Sequence, residues 1–364
     1  MADIHQMEPP FGTYRLSAPM ERLRGATTHL PANRVGRALS SLIRRIVSRG
    51  PEDPIDAEIF PGIRARLRPG TNRCEKRVLT GAHFYDHQER AALAAALRES
   101  ESEPFVFADL GANVGLYSLW MVASARTAGR KLQVLAVEPD PVTRARLLSN
   151  LAASGADNVA VAPVAVGAEA GRGRIVEHGN NRGENQVATS DAAGDGGFEI
   201  LPLDRICDRY GITRIDAMKV DLEGHDEAAL RGMFETAPEA LWPRVLIVEA
   251  GKGEASPPVV RLCEANGYTT AGRTRLNAII GRPPDLVNPP SGCAFAARCP
   301  YVQDRCRDES PELRELDTAG HQFACHYPVG TEENEVAFSR NVEAALPQAL
   351  AASGQLSATE EGGR

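Results

Sequence analysis

Phe105-Val-Phe-Ala-Asp109-Leu-Gly111-Ala-Asn113-Val-Gly115 is the stretch that decides the fold. FVFAD is an apolar run closed by a carboxylate, the pattern of a strand buried on both faces. Gly111 permits a tight turn, Gly115 permits close packing of the adjoining helix, and GLYSLWMVASAR (115–126) has helical spacing. A strand that turns through glycines into a helix brings its backbone against a ligand at the carboxyl edge of a parallel sheet.

Working outward, the alternation continues. LQVLAVE (132–138) is a strand and PVTRARLLSNLAASG (141–155) a helix stopped at Gly155. NVAVAPVAVG (158–167), RIDAMKVD (214–221) and RVLIVEA (244–250) read as further strands, with a helix from Asp226 to Met233. PPVVRLCEANG (257–267) is a helix with Gly267 as its stop, and YTTAGRTRLNAIIGR (268–282) reads as a closing hairpin. Upstream, GIRARLRP (62–69) alternates like a strand and HQERAALAAALRE (87–99) is a helix. Strands alternating with helices predict a doubly wound α/β fold, its mostly parallel sheet covered on both faces and completed by an antiparallel hairpin.

The flanks differ. Residues 1–33 are rich in Pro, Thr and Arg and are expected to be a poorly ordered arm. In RVGRALSSLIRRIVSRG (34–50), Val35, Leu39, Leu42, Ile43 and Ile46 share one helical face, with Arg37, Arg44, Arg45 and Arg49 largely elsewhere. Such a basic amphipathic helix (34–49) either docks on its own domain or makes peripheral contact with a membrane. Arm and helix fill 1–57, and the α/β unit fills 58–282. Turn-rich PPDLVNPPSG marks a boundary after Gly281, followed by a small Cys-rich, loop-dominated segment over 283–330. The tail, 331–364, holds one helical stretch (342–353) before a polar end and is expected to be partly disordered.

Composition narrows the class. The 364 residues carry a formal charge of −7, which argues against a nucleic-acid partner. No apolar run reaches the ~20 residues of a spanning helix, and the N-terminus lacks a signal-peptide core, so a cytoplasmic location is expected. Cys74, Cys207 and Cys263 stand apart and read as small buried hydrophobes. Cys293, Cys299, Cys306 and Cys325 crowd together, and in a reducing compartment this pattern points to metal ligation before disulfides. Without a C-x₂₋₄-C knuckle, four thiolates on an Fe–S cluster fit better than zinc, for which His321 and His326 remain alternative ligands.

Two carboxylates define the ligand expected at the glycine turn. Asp109 ends one strand, and Glu138, followed by Pro139, ends the next, where a carboxylate can accept both hydroxyls of a ribose. S-adenosylmethionine carries a sulfonium and an ammonium but no phosphate, and Asp109 suits its ammonium. The third glycine of G-x-G-x-x-G is missing and no G-x-x-x-x-G-K-[ST] occurs, so dinucleotide and P-loop chemistry lack their residues. A third cluster, Lys219-Val-Asp221-Leu-Glu223-Gly224-His225, lies at another strand end facing the same crevice. Methylation of a hydroxyl gains from a proton acceptor. His225 is the first candidate, with Asp221 or Glu223 orienting it or binding substrate. Proximity to an already activated methyl group is the alternative. The polar loop HGNNRGENQ (178–186) reads either as part of the acceptor pocket or as a surface turn.

FADLGANVGLYSL, VLAVEPDPVTRARLLSNLAASG and IDAMKVDLEGHDEAALRGM, with the lead-in NRCEKRVLTGAHFYDHQERAAL, resemble the FkbM-type family of S-adenosylmethionine methyltransferases over about 58–282. The resemblance implies a class I methyltransferase (Rossmann-like) sheet and O-methylation of a small-molecule hydroxyl acceptor, mostly sugar or polyketide. It makes Asp109, Gly111, Asn113, Gly115, Glu138 and Pro139 cofactor contacts and puts Val164 and Ala165 beside the adenine. Residues 283–328, with NPPSGC, RCPY and a final ACH, are similar to the C-terminal extension of ATP-binding subunits from oligopeptide and dipeptide ABC transporters. The ATPase signatures are missing. A transport-associated or interaction protein on a non-catalytic scaffold is therefore the rival reading, against which the pairing of Asp109 with Glu138 speaks.

Overall fold

A computed structural model describes residues 9–48, 53–176, 186–189, 197–251, 257–282, 292–296, 299, 301–315, 322–328 and 330–336. The polar loop at 178–186, apart from Gln186, and the helical stretch at 342–353 lie outside the described residues. Helices α1 (Ala18–Ala26) and α2 (Arg34–Val47) lead into a hairpin of β1 (Ile55–Phe60) and β2 (Ile63–Leu67), then α3 (Arg73–Val78) and α4 (His87–Glu99). The alternating unit comes next as β3 (Phe105–Leu110), α5 (Leu116–Ala128), β4 (Leu132–Val137), α6 (Pro141–Ala153) and β5 (Val159–Ala162). It continues through β6 (Ala165–Val166), β7 (Gly171–Val176), β8 (Gln186–Thr189) and β9 (Phe198–Leu201). The unit closes with α7 (Leu203–Tyr210), β10 (Ala217–Val220), α8 (Asp226–Thr236), β11 (Val245–Glu249), α9 (Pro258–Ala265), β12 (Thr269–Arg273) and β13 (Asn277–Gly281). Beyond it lie α10 (Asp304–Asp308) and the short pair β14 (Leu313–Glu315) and β15 (Gln322–Ala324).

Seven strands form the main sheet in the order β12-β13-β11-β10-β3-β4-β5. The run from β11 to β5 is parallel, and β13 is antiparallel to both its neighbours, so the closing hairpin is present as expected. Every residue of β3 is buried, and the two-residue period of a strand sorts its side chains into two cores. Phe105 and Phe107 pack with the β1–β2 hairpin, α4 and α5, whereas Val106, Ala108 and Leu110 pack with α7, α8 and α9. At ~1.5–3 kcal/mol for each large apolar side chain fully buried, these two layers supply the driving force that fixes the sheet.

Three expectations need correction. The stretch 158–167 is two strands, not one: β5 belongs to the main sheet and β6 to a four-stranded sheet of order β6-β9-β7-β8. Pro163 stands at the break, where it has no N–H to give a ladder. Within the supposed arm, residues 9–33 are structured. The Asp56 carboxylate accepts from the backbone N–H groups of Gly12 (2.7 Å) and Tyr14 (3.1 Å). Arg66 clamps the same carboxylate at 2.7 and 3.0 Å and also donates to the carbonyls of Pro9 and Pro10. Periodicity could not show this, because a buried ion pair and two isolated leucines, Leu16 and Leu23, make the tie rather than a repeating apolar face. Finally, α2 docks on its own domain through Gly36, Ser40, Val47 and one member of its apolar stripe, Ile43, while Val35, Leu39, Leu42 and Ile46 stay exposed. Asn33 caps it, and Ser40 Oγ donates to the carbonyl of Thr80 at 3.1 Å.

Asp56 and Arg66 are both only 3% exposed, so losing one partner strands a buried charge. Asp56→Ala is expected to cost about 3–5 kcal/mol of stability. It should also release the N-terminal segment, so that trypsin cuts at Arg15, Arg22 or Arg24 under conditions in which the parent chain resists; an unchanged melting temperature and cleavage pattern would refute this.

Candidate active site

Asp109 and Lys219 are register partners on the adjacent parallel strands β3 and β10. Both side chains are buried at the carboxyl end of the sheet, with Lys219 2% and Asp109 1% exposed. Lys219 Nζ donates to Asp221 Oδ2 at 2.8 Å and lies 5.2 Å from the centre of the Tyr117 ring. Burial alone would pull the ammonium down. Asp221, Asp109 and Asp226 more than offset that and hold its pKa above the ordinary value. Asp109 is itself pushed up by burial, an effect opposed by Ser118 and Lys219. Its Oδ2 accepts from the backbone N–H (3.0 Å) and the hydroxyl (2.6 Å) of Ser118 in the first turn of α5, where a helix end favours an anion.

Gly111 joins these strand ends. Its φ is +77°, and a Cβ built there would overlap the carbonyl oxygen of Asp221. The loop between β3 and α5 is thereby pressed onto the strand end that carries Lys219 and Asp221. On its other side the loop hangs from β4, the backbone N–H groups of Gly111 and Ala112 both donating to the carbonyl of Val137 at 3.0 Å. Asn113, at φ +51°, donates its backbone N–H to Glu138 Oε2 at 2.9 Å, and Glu138 Oε1 accepts from the backbone of Asp140 at 2.9 Å. Burial, only partly relieved by those two bonds, pushes the Glu138 carboxyl up to about 7.

A cavity of about 480 Å³ opens over this framework. Asp109, Gly111, Asn113, Glu138, Pro139 and Ala165 line it, as do Asp221, Glu223 and His225. The structure thus brings both groups of expected residues to one space. Two of the expected cofactor contacts stand outside the wall. Val164 is 2% exposed and belongs to the α7–α9 core. Gly115 serves packing instead, since a Cβ at its φ of +87° would strike Leu147 of α6. His225, exposed, is the N-cap residue of α8. Before it, Glu223 (φ +50°) and Gly224 (φ +97°) make a left-handed turn, a conformation that costs a non-glycine residue about 1–3 kcal/mol and clusters at functional sites.

Other wall residues were not singled out from the sequence. Cys74, partly buried against the core, also lines the cavity beside Tyr85, its thiol raised to about 11 by burial and by Asp221. Tyr117 also lines it and donates its hydroxyl to Asp86 at 3.2 Å. Asn72 caps α3 and reaches Asn113 Oδ1 at 2.8 Å, tying the lead-in segment to the glycine loop. Lys219 alone had a usable signal, being two residues from Asp221 on a strand and hence on the same side of the sheet. Cys207 and Cys263 are buried as expected.

The expected metal centre is not assembled. Among the described residues no three His, Cys, Asp or Glu side chains are grouped to hold an ion. Cys293, Cys299, Cys306 and Cys325 are free thiols. They do lie in one neighbourhood: burial, then Cys306, Cys325 and Cys293, raise the Cys299 thiol, and the backbone N–H of Cys293 donates to the carbonyl of Cys306 at 2.8 Å. The segment thus gathers its cysteines through backbone turns without converging them on a point. Among the described residues no helix is long and apolar enough to cross a membrane.

Comparison with known proteins finds two family models in the chain. Residues 109–269 match the family model described as Methyltransferase FkbM domain, and residues 262–306 match that of the Oligopeptide/dipeptide transporter, C-terminal region. The second match therefore starts inside α9, earlier than the tail motifs suggested, and stops at Cys306. The Di/tripeptide transport ATP-binding protein DppF of Pseudomonas aeruginosa is 55% identical over 49 residues, 14% of this chain and 15% of its own. The dipeptide transport ATP-binding protein DppD of Caldanaerobacter subterraneus is 45% identical over 56 residues, 15% and 17% respectively. This chain spans about a sixth of the length of these curated relatives. Among solved structures, the METTL16 MTase domain aligns at 13% identity and a TM-score of 0.37, covering 73% of this chain and 91% of that one. A SAM-dependent methyltransferase from Agrobacterium tumefaciens aligns at 12% identity and a TM-score of 0.37, covering 64% and 70%. Residues 109–269 of the α/β unit thus match the FkbM methyltransferase family model, and the unit itself is an α/β fold around a mostly parallel sheet.

Gly111→Ala adds one methyl group where there is a carbonyl. The substitution is expected to part the loop from Asp221, lower the melting temperature and abolish the calorimetric binding of S-adenosylhomocysteine. Gly129→Ala, also at positive φ (+63°) but with open space around it, should cost only the backbone strain and leave binding intact. Equal behaviour of the two variants would refute the packing argument.

Proposed function

We propose that the protein is an S-adenosylmethionine-dependent O-methyltransferase acting on a hydroxyl of a sugar, polyketide or related small metabolite. The observation that carries this reading is the single cavity shared by the glycine loop with Glu138 and by the Asp221–His225 turn. The wall suits a cationic, phosphate-free cofactor. Asp109, Glu138 and Asp221 are acidic, and Lys219, the one lysine among the described residues of the wall, is already engaged by Asp221. Each oxygen of Glu138 accepts one backbone N–H and retains capacity for a hydroxyl, which fits a ribose. Glu138 and Asn113 would hold the nucleoside, and Asp109 and Asp221 would face the ammonium. Ile175, Val187 and Ile200, from the four-stranded sheet, add an apolar wall.

When bound, the cofactor supplies a methyl group already activated by its sulfonium, and the products are a methyl ether and S-adenosylhomocysteine. The chain's own task is to align the acceptor oxygen, exclude water and receive the hydroxyl proton. His225 is the group placed to receive it, standing on the cavity wall at the start of α8. The turn of Glu223 and Gly224 fixes its approach. Asp226, the first residue of α8, accepts from the backbone N–H of Leu222 at 3.4 Å and closes that turn. The transporter reading has no comparable support, since the described residues of its matched stretch, 262–306, contribute nothing to the cavity wall.

Two measurements test the assignment. Burial pushes the Glu138 carboxyl up to about 7, and hydroxyl donors favour its ionised form. Affinity for S-adenosylhomocysteine should therefore rise with pH up to about 7 and level off above, changing by at most about tenfold per pH unit on the rising limb. Glu138→Gln should bind more weakly and flatten that profile; Glu75, buried and also pushed to about 7, is the reason the variant is needed. A profile that survives the substitution would refute ribose binding at Glu138. Second, His225→Ala is expected to lower kcat by about 10²–10⁴-fold while cofactor affinity stays within a few-fold. An unchanged kcat with the acceptor would show that proximity alone suffices.

A further inference from the structure

The outer face of α2 carries an apolar stripe that no other described residue of the chain covers. Val35, Leu39, Leu42 and Ile46 share the spacing of one helical stripe and are 64, 42, 53 and 41% exposed. They are four of the nine exposed large apolar side chains among the described residues, so the stripe is a concentration rather than scatter. The helix is held from another side, through Gly36, Ser40 and Val47. Gly36 is itself required there, because a Cβ would strike the carbonyl of Pro31.

Charge identifies the partner. Residues 22–51 contain seven arginines and no Asp or Glu, in a chain whose net charge is −7. Arg34, Arg37 and Arg45 are exposed along α2, and among the described residues no ion pair engages them. Arg44 and Arg77 add further positive charge close to the helix, and with burial as the main cause Arg77 and Arg45 lower the Arg44 guanidinium. An exposed apolar stripe bordered by arginines, on a helix of fourteen residues, has the form of a segment lying in the plane of a lipid interface. A second protein chain would need carboxylates to meet the arginines and an apolar groove to meet the stripe, whereas an anionic bilayer presents both phosphate or carboxylate headgroups and acyl chains along one plane.

We propose that α2 docks the protein on anionic lipid bilayers, with Val35, Leu39, Leu42 and Ile46 entering the acyl boundary and Arg34, Arg37 and Arg45 meeting the headgroups. The inference is independent of the methyl-transfer reading, since none of these residues lines the cavity.

Sedimentation of the full chain with vesicles tests it. The chain is expected to pellet with mixed phosphatidylcholine/phosphatidylserine vesicles and to remain in solution with phosphatidylcholine alone, and added salt should weaken the binding. Arg34→Gln, Arg37→Gln and Arg45→Gln should each reduce partitioning about fivefold. The double variant Leu39→Glu/Leu42→Glu should abolish it while S-adenosylhomocysteine binding and the circular dichroism spectrum stay unchanged, which separates lost docking from lost folding. Equal binding to neutral and anionic vesicles, or none to either, would overturn the proposal. So would concentration-dependent self-association that the double variant removes without any vesicle binding by the parent chain, because the stripe would then serve a second copy.

Discussion

The contact between Gly111 and the carbonyl of Asp221 is the constraint on which the site depends. Two neighbouring parallel strands end there, and their loops leave no volume between them for even one methyl group. Parallel strands in register carry their loops to the same edge, so whatever one loop binds is within reach of the other's side chains. The close approach converts that general property into a fixed distance. It sets the glycine loop against Lys219 and Asp221 and lets a single cavity span both the loop with Glu138 and the Asp221–His225 turn.

A lysine buried beneath that edge would ordinarily be a liability, because removing an ammonium from water costs several kcal/mol. Here the cost is met by three carboxylates, Asp221, Asp109 and Asp226, and by the face of Tyr117. The arrangement orders the site before any ligand arrives. Asp109 is bound to α5 through Ser118, Asp221 is bound to Lys219, and Asn113 is bound to Glu138 and Asn72. Preorganised charge of this kind costs no rearrangement when the reaction occurs. The Asp56–Arg66 pair uses the same economy in another place, holding residues 9–14 to the β1–β2 hairpin where there is no apolar face to do so.

Both additions to the α/β unit are held to its periphery. The N-terminal helices pack beside the segment that brings Cys74 and Tyr85 to the cavity, while the Cys-bearing segment meets α4 through Arg307 and Glu99 at 3.1 Å. Neither that segment nor α2 contributes a residue to the cavity wall. The transporter-like match nevertheless begins within α9 and runs across the β12–β13 hairpin, which is hydrogen-bonded into the main sheet.

By itself the sequence determined the sheet, because strand and helix periodicities are local and the run from Phe105 to Gly115 states strand, turn and helix in eleven residues. It also determined which residues crowd the carboxyl edge, since strand ends in a parallel sheet share one side. Only the tertiary structure decided what those residues do there. Gly115 packs against a helix that begins 26 positions later, and Val164 turns into the core because Pro163 breaks its strand and passes the chain to another sheet. Cys74 and Tyr85 reach the cavity, and Asn72 its glycine loop, from an upstream lead-in whose side chains no periodicity assigned to the site. The apolar stripe of α2 was legible as a stripe, but its exposure was not, because periodicity reports that a face is apolar and leaves to packing whether anything in the same chain covers it. Close approach, buried charge pairing and the covering of a surface are all relations between distant positions, and they exist only once the chain has folded.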